Sequence, residues 1–563
     1  MTAGAPFGAQ PYSLVVLVAA AVGWWSVAPL AGQSCVADLV IVNAKVHTVD
    51  SARPSAEAVA ICGDRIARVG SNDEVKQIAG RATRTIDARG QLLVPGFNDA
   101  HVHLVSGAEE LVGVDLRPAK SPQEFMQRLR DHAARLPKGQ WILGGYWDHE
   151  AWSGQTLPAH DLIDSITRDN PVFVQRLDGH MGLANALAMK LAGITRDTQA
   201  PAGGAIVKDA SGEPTGVFKD NAIDLVTRAV PPPSLDETID RARAALQHAA
   251  SLGVTTVQDM TASATELRAY GALRASGELT ARIYSIQNHP IQGLVEAGIA
   301  TGFGDDWIRI GGQKLFADGS MGSGTAAFFE PYADDPTTSG LLLHTPDALE
   351  RAIFDADAAG FQLVVHAIGD RANAIVLDAF EKLERERGRR DRRLRIEHAQ
   401  VVRAADKPRF AALAVIASIQ PSHCIDDMRW AERRIGAARS RIAYNVHSFA
   451  DAGARIAFGT DWYVEPLNPM IGLYAAVTRQ FADGTPAGGW FPEERITMAQ
   501  AIEYYTLGSA YAEFAEQRKG SITEGKLADL VLLSKDLFTI PAREILDVRP
   551  VLTIVGGRIV HGA

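Results

Sequence analysis

Apolar and polar positions along this chain fall into two textures. Near both ends, short apolar runs of strand length are broken by turn residues. Residues 38–46, 58–69 and 85–93 are such runs, punctuated by Cys62-Gly63-Asp64 and Ala88-Arg89-Gly90, which is hairpin chemistry. Residues 528–533, 551–555 and 558–561 repeat the texture around a tight turn at Gly556-Gly557. The two ends together predict one small β-sandwich domain. Its first part lies in 35–94, and its second part follows a last barrel helix within 491–563.

In the middle of the chain, buried-type strands alternate with amphipathic helical stretches. The candidate strands are the run into His101, then 255–260, 281–286, 308–316, 362–366, 393–398, 416–420 and 455–458. Short β-branched runs followed by helix indicate parallel βα units. Their number indicates an α/β fold, a (β/α)8 TIM barrel over 95–490. An open doubly wound sheet is the rival, but no Gly-x-Gly-x-x-Gly follows a strand. About 150 residues separate the first two candidate strands, far more than one crossover helix needs. Residues 110–235 are therefore read as a large insert after the first strand. The insert holds Trp141, Trp147 and Trp152, two of them expected in its core, and Asp178-Gly179-His180.

Composition narrows the class without naming it. Hydrophobic residues make up 47% and charged residues 22% of the 563, as in ordinary globular proteins. A net charge of −10 argues against a nucleic-acid partner, which needs a basic face. The arginine-rich stretch 384–393 is read as a solvated helix end and loop. The three cysteines, Cys35, Cys62 and Cys424, show no Cys-x-x-Cys spacing, so neither a disulfide framework nor a thiolate metal site is expected.

Residues 14–30 form an apolar run, followed by the small and polar Ala31-Gly32-Gln33-Ser34-Cys35. Residues 1–34 are read first as a cleaved signal peptide, giving an exported periplasmic or extracellular protein. No Lys or Arg precedes the run, and its length approaches that of a membrane span. An uncleaved anchor is thus the second reading, with membrane attachment only through 14–30. Lipidation at Cys35 ranks third, because the apolar residue expected three places earlier is missing.

Barrel enzymes carry their chemistry at the C-terminal ends of the strands, and here those ends are polar. The first ends in His101-Val102-His103, whose histidines share a side if the strand stays extended. Lys314 lies near the end of 308–316, and His366 ends 362–366. Glu397-His398 ends 393–398, and Gly459-Thr460-Asp461-Trp462 follows 455–458. Any one of these could be a satisfied core or cap residue. Five strands ending this way on one rim point to a metal site.

At this point the chain resembles the amidohydrolase superfamily of metal-dependent hydrolases, in the YtcJ-like branch that includes N-substituted formamide deformylases. The resemblance runs from about residue 37 to the C-terminus. It rests on Pro95-Gly96-Phe97-Asn98-Asp99-Ala100-His101-Val102-His103, on Lys314-Leu315-Phe316-Ala317-Asp318-Gly319-Ser320-Met321-Gly322-Ser323, on His366-Ala367-Ile368-Gly369-Asp370-Arg371-Ala372, on Gly459-Thr460-Asp461 and on Gly525-Lys526-Leu527-Ala528-Asp529-Leu530.

The resemblance implies one or two divalent metal ions, zinc first among them. It implies that His101, His103 and Asp461 hold one ion and that His366 and His398 hold the other. Lys314 would bridge them as a CO2-derived carbamate, since an unmodified ammonium is a poor ligand. The alternative for Lys314 is a cation that anchors a substrate carboxylate. A metal-acidified water would attack, with Asp461 as general base; the plain alternative for Asp461 is a helix cap.

His180, Arg371, His423 and Trp462 are second-tier candidates for substrate binding. His423 is placed at the end of the seventh strand, Arg371 is paired with Asp370, and Trp462 is assigned to the pocket floor. Glu397 is assigned to a neighbouring layer by strand alternation. The expected function is hydrolysis of a non-peptide C–N bond in a small N-formyl, N-acyl or cyclic amide. The rivals are a metal-dependent esterase or deaminase, and a non-catalytic metal-binding exported protein. The oligomeric state is left open, with a dimer compatible.

Overall fold

The computed structural model describes residues 35–562. The leader reading of 1–34 lies outside the described residues. No helix among those described is long and apolar enough to cross a membrane.

Eight parallel strands in consecutive order form the central sheet. They are β1 (Phe97–Val102), β2 (Val254–Ala262), β3 (Arg282–Gln287), β4 (Ile308–Phe316), β5 (Gln362–Ala367), β6 (Arg395–His398), β7 (Ile416–Ile419) and β8 (Arg455–Phe458). Every expected strand of the middle region is present, within two residues at each bound. The sheet curls until β8 returns to β1. Asp461 N donates to His101 O at 2.7 Å, and His103 N donates to Trp462 O at 2.7 Å. A parallel bridge joins Val102 to Trp462, so the barrel is tied at its C-terminal rim.

Helices cover the outside because their apolar stripes match the outward side chains of the strands. Leu235–Ser251 is typical. Ser234 and Glu237 form a capping box at its start, and Ala242, Ala245, Leu246, Ala249 and Ala250 are its buried stripe. The small alanines let the helix lie close to β2. The barrel layer shares one apolar cluster that includes Val257, Ile283, Val365, Ile396 and Phe458.

Between β1 and β2 the chain builds a separate six-stranded sheet. Its order is Gly204–Lys208, Pro214–Asp220, Met181–Ala184, Phe173–Arg176, Gly144–Trp147, Val114–Asp115. Trp147 and Trp152 are buried in the cluster beneath it, with Phe125 and Val174. Trp141 is only partly buried, against a second cluster.

Residues from both ends make two more sheets. One holds Ala37–Val42, Ala58–Cys62, Arg65–Gly70 and Ala79–Asp87. The other joins Lys45–His47, Ser55–Ala56 and Leu92–Pro95 to Leu530–Leu533, Pro550–Val555 and Arg558–His561. Leu39, Ile61, Leu93, Leu530 and Ile554 share one apolar cluster.

Two expectations fail at the level of the fold. Cys62 is disulfide-bonded, since pairing needs only two suitably placed Cβ atoms and no spacing motif. The 384–393 stretch is not simply solvated. Arg392 is buried against Asp357 at 2.8 Å and Glu384 at 2.7 Å, and Arg393 pairs with Glu516 at 2.6 Å.

One buried ion pair ties the barrel base to the C-terminal segment. Arg282, at the start of β3, meets Asp529 at 2.7 Å, with side chains 3% and 4% exposed. Asp529 also accepts from Gly556 N at 2.8 Å. Asp529→Ala leaves the guanidinium buried without its counter-charge, which typically costs about 3–5 kcal/mol. The urea unfolding midpoint is expected to fall accordingly. An unchanged midpoint would show that the pair contributes nothing net.

Candidate metal centre

The rim is assembled at the seam between β8 and β1. Asp99, on β1, is fully buried and accepts from Thr460 N at 2.9 Å and Thr460 Oγ1 at 2.6 Å. Burial pushes its carboxyl up to about 7 against those hydrogen bonds. Gly459 permits the approach, since a Cβ there would sit 2.6 Å from His101 N and 2.7 Å from Asp99 Oδ1. The same seam carries Asp461 over the barrel mouth.

His101 and Asp461 face each other across it, with His101 Nε2 3.4 Å from Asp461 Oδ1. His103 follows the strand as the cap residue of the helix Leu104–Val112. Its Nε2 is 3.1 Å from the same oxygen. His398 stands 4.8 Å from His101, ring centre to ring centre. Its Nδ1 is 2.8 Å from Gln420 Oε1. His366 is 4.6 Å from His398, and its Nε2 lies 3.2 Å from Gly319 O. Lys314 Nζ lies 3.1 Å from His101 Nε2.

Two of these residues reach the mouth through unusual backbone. His398 has φ +72° and Asp461 has φ +60°, a left-handed conformation uncommon for residues other than glycine and found often at functional sites. Strand alternation alone would turn His398 away from the side that Arg395 and Glu397 face. The left-handed turn brings it back.

Glu397 corrects the expectation that it faces a neighbouring layer. It is fully buried in the barrel, with Oε2 2.7 Å from His101 Nδ1 and Oε1 2.8 Å from Arg395 Nε. A carboxylate on Nδ1 fixes that nitrogen as the N–H and leaves Nε2 as a lone pair. Gln420 does the same for His398. The alternating Arg395 and Glu397 in a buried strand were the available signal for an inward charged pair.

The electrostatics suit cation binding. Burial, reinforced by neighbouring positive charges, holds His101, His366 and His398 well below the ordinary imidazole range. They are therefore neutral, ligand-competent bases. Burial also lowers the Lys314 amine to about 8, against the pull of Glu397 and Asp461. Burial alone would raise the Asp461 carboxyl, but His101, His103 and His423 hold it well below the usual carboxylate range. His180 is raised, because its bond to Asp220 and the charges of Asp220, Asp178 and Asp318 outweigh burial.

Ligand atoms of His101, His398 and Asp461 lie within 4.8 Å of one another, all buried. Asp461 Oδ1 is buried without a hydrogen-bond partner. Two imidazole nitrogens, an orphaned carboxylate oxygen and fixed tautomers fit a divalent cation of zinc's character.

A small cavity of about 40 Å³ opens beside this group. His180, His366, His398, His423 and Asp461 line it. His180 reaches it from the six-stranded sheet, with Nδ1 2.7 Å from Asp220 and its ring 5.0 Å from His366. His423 lies in the helix Pro421–Asp427, not at a strand end. Its Nδ1 is 3.2 Å from Gln400 Nε2, and its Nε2 is 3.8 Å from Asp461.

Two expected residues are elsewhere. Trp462 is fully buried and turned outward, since its Nε1 donates to Glu110 at 2.6 Å and its ring packs against His248. Arg371 lies half-buried in the helix Asp370–Arg387, outside the cavity. Its expected partner Asp370 instead accepts from Phe329 N at 3.0 Å. Trp462 directly follows Asp461 and Arg371 comes five residues after His366, and the chain turns both side chains away from the cavity.

A parallel barrel with a buried His–His–Asp group at its C-terminal mouth defines a metal-binding hydrolase class. The chain belongs to the amidohydrolase family, whose profile matches residues 84–561. It is 37% identical to the protein LONG AFTER FAR-RED 3 of Arabidopsis thaliana, over 95% of this chain and 93% of that one. It is 33% identical to the putative amidohydrolase YtcJ of Bacillus subtilis (92% and 98%). Identity to the N-substituted formamide deformylase of Arthrobacter pascens is 28% (92% and 97%). An uncharacterised metal-dependent hydrolase from Pyrococcus furiosus superposes with a TM-score of 0.71 at 29% identity, covering 89% of this chain and all of that one.

Glu397→Gln keeps the shape but removes the charge that polarises His101. Such outer-shell changes typically cost about 10–100-fold in metal affinity. Zinc titration of the metal-free protein against a fluorescent chelator is expected to show that loss. Wild-type affinity in the variant would show that Glu397 serves Arg395 alone.

Proposed function

We propose that this protein is a metal-dependent amidohydrolase that cleaves a non-peptide C–N bond in a small N-formyl, N-acyl or cyclic amide. The observation that carries the reading is the orphaned Asp461 oxygen facing neutral histidines with fixed tautomers. The formamide-deformylase name of one near-full-length relative supports amide over ester chemistry.

His101, His103 and Asp461 would hold one ion, zinc by their donor types, and His366 and His398 a second. Lys314 would join them as a carbamate. The buried amine, lowered to about 8, is partly neutral near physiological pH. It can therefore add to CO2 and release a proton. Bound there, the metal supplies Lewis acidity towards the carbonyl and an acidified water. Asp461, ionised at the mouth, accepts the water's proton and delivers it to the departing amine nitrogen. His180, held by Asp220, offers its outer ring nitrogen to the carbonyl oxygen as it gains charge. His423 packs beside Asp461 and limits how a substrate can lie.

The same reading divides the chain into a leader (1–34), a β-sandwich built from 35–94 and the end of 491–563, and a barrel over 95–490 with 110–235 as an insert. Export after leader cleavage is proposed with it, and an uncleaved anchor is the alternative. A disulfide-bonded Cys62 supports an oxidising compartment.

Asp461→Asn is expected to lower turnover about 10²–10⁴-fold on whichever member of an N-formyl and N-acyl amide panel wild type cleaves, while retaining part of the metal. Turnover within twofold of wild type would remove Asp461 from the role of base. Chelation is expected to abolish activity and zinc to restore it; full activity in chelator overturns the metal-dependent reading. Lys314→Ala is expected to lose activity and some metal, with partial rescue by a short carboxylic acid. Lys314→Arg supplies the wrong charge and is not expected to rescue. Substantial activity in Lys314→Arg, or a free ammonium seen holding a substrate carboxylate, would replace the carbamate with the anchor reading.

A further inference from the structure

The cavity beside the metal centre has a second chemical feature that amide hydrolysis does not use. Glu465, four residues beyond Asp461, lines it and is 7% exposed. Among the described residues Glu465 makes no hydrogen bond and no ion pair. Asp427 and Trp430 line the same cavity, beside Leu177, Met321 and Val464.

The neighbouring charges are already matched. Asp178 pairs with Arg176 at 2.7 Å. Asp426 pairs with Arg429 at 2.7 Å, and Asp148 takes Arg429 at 3.1 Å and Arg176 at 2.9 Å. Arg117 is 3.5 Å from Glu110 and donates to Tyr463 O. Asp427 accepts from the Tyr444 hydroxyl. Glu465 lines the cavity with no hydrogen bond or ion pair of its own among the described residues, within reach of the charges of Arg117 and Arg429.

A buried carboxyl without a partner is costly unless a ligand supplies one. Burial and the nearby Asp426 and Asp427 push the Glu465 carboxyl well above its ordinary range, against Arg117 and Arg429. A cation seated beside Glu465 and Asp427 would favour the ionised form of both carboxyls. A tryptophan beside two carboxyls is a setting that binds ammonium groups.

We infer that the substrate carries a basic, positively charged group that seats against Glu465, Asp427 and Trp430 while its amide lies at the metal centre. The inference rests on the amidohydrolase reading and narrows it to amides of diamines or of other amine-bearing molecules. The aliphatic walls suit a short alkyl spacer between amide and ammonium.

Three amides of matched length test this with the zinc-loaded full chain: N-acetyl-1,4-diaminobutane (cationic tail), N-pentylacetamide (neutral) and 5-acetamidopentanoate (anionic). Affinity is read by calorimetry and hydrolysis by amine release. The cationic amide is expected to bind at least tenfold more tightly than the neutral one, as charged hydrogen bonds in buried sites do. The anionic amide should bind weakest. In Glu465→Gln the cationic preference should fall below threefold, with zinc content and neutral-amide affinity unchanged. If that variant does not fold, Asp427→Asn and the three-tail series in wild type carry the same comparison.

Equal affinities for the tails, no measurable binding of any, or a preference that survives the substitutions overturns the inference. Cationic preference in binding without amide cleavage under any metal loading would sink the hydrolase reading and leave this site standing. Cleavage without tail preference does the reverse.

Discussion

The structure depends on a carboxyl buried at the barrel seam. Asp99 is removed from water and satisfied by Thr460, the residue before Asp461, and by His101 N at 3.2 Å. That contact draws the end of β8 against β1 and lets Asp461 N and His103 N complete the rim ladder. Closure and site formation are thus one event. If the seam opens, the parallel sheet gains two edges and the carboxylate separates from its histidines. Gly459 is the steric condition, because any side chain would meet His101 and Asp99. Such a seam converts packing energy into fixed ligand geometry, as a preorganised metal site requires.

The mouth then concentrates polar groups that would be unstable singly. Buried imidazoles stay neutral and avoid the cost of charge. The few charges retained are arranged in a chain, with Arg395 on Glu397, Glu397 on His101, and His101 towards Asp461. Arg395 is further tied to Ala100 O at 2.8 Å. Each member answers its neighbour except at Asp461, where one oxygen faces His101 and His103 without a hydrogen bond. The left-handed backbone at His398 and Asp461 costs energy that surrounding packing must offset. The unsatisfied atom and the strained residues coincide, as they do in sites that can hold a cation and not in a settled core.

Periodicity made the barrel legible in the sequence, because eight buried runs of strand length with helical spacing admit few alternatives. The rim histidines, Lys314 and Asp461 were legible because polar residues ending apolar strands have few structural reasons to be there. Alternation served less well beyond the last strand residue. It assigned Glu397 to an outer layer, whereas Glu397 shares the inward face of Arg395 and it is His398 that departs from alternation. Trp462 and Arg371 were placed by nearness in sequence to rim residues, yet one side chain turns into the helix layer and the other stays outside the cavity. A backbone that leaves strand geometry at the rim erases the rule that relates neighbours in sequence to neighbours in space. The disulfide at Cys62 depends on tertiary proximity that spacing does not encode.

The sheet between β1 and β2 carries a different share of the site. Asp178 accepts from Ser320 and Ser323 Oγ, and Lys219 donates to Ser323 O at 2.8 Å. These bonds fasten that sheet to the loop after β4, the strand that bears Lys314. They set His180 beside His366 and Arg176 in the cavity wall. The barrel rim therefore supplies the groups that can hold a cation and move a proton. The added sheet, with the helices after β7 and the turn after β8, shapes what may approach them. A change of substrate would require new residues chiefly in the added sheet and the helices after β7, which do not form the seam that closes the barrel. That separation lets one rim serve substrates of different shape and charge.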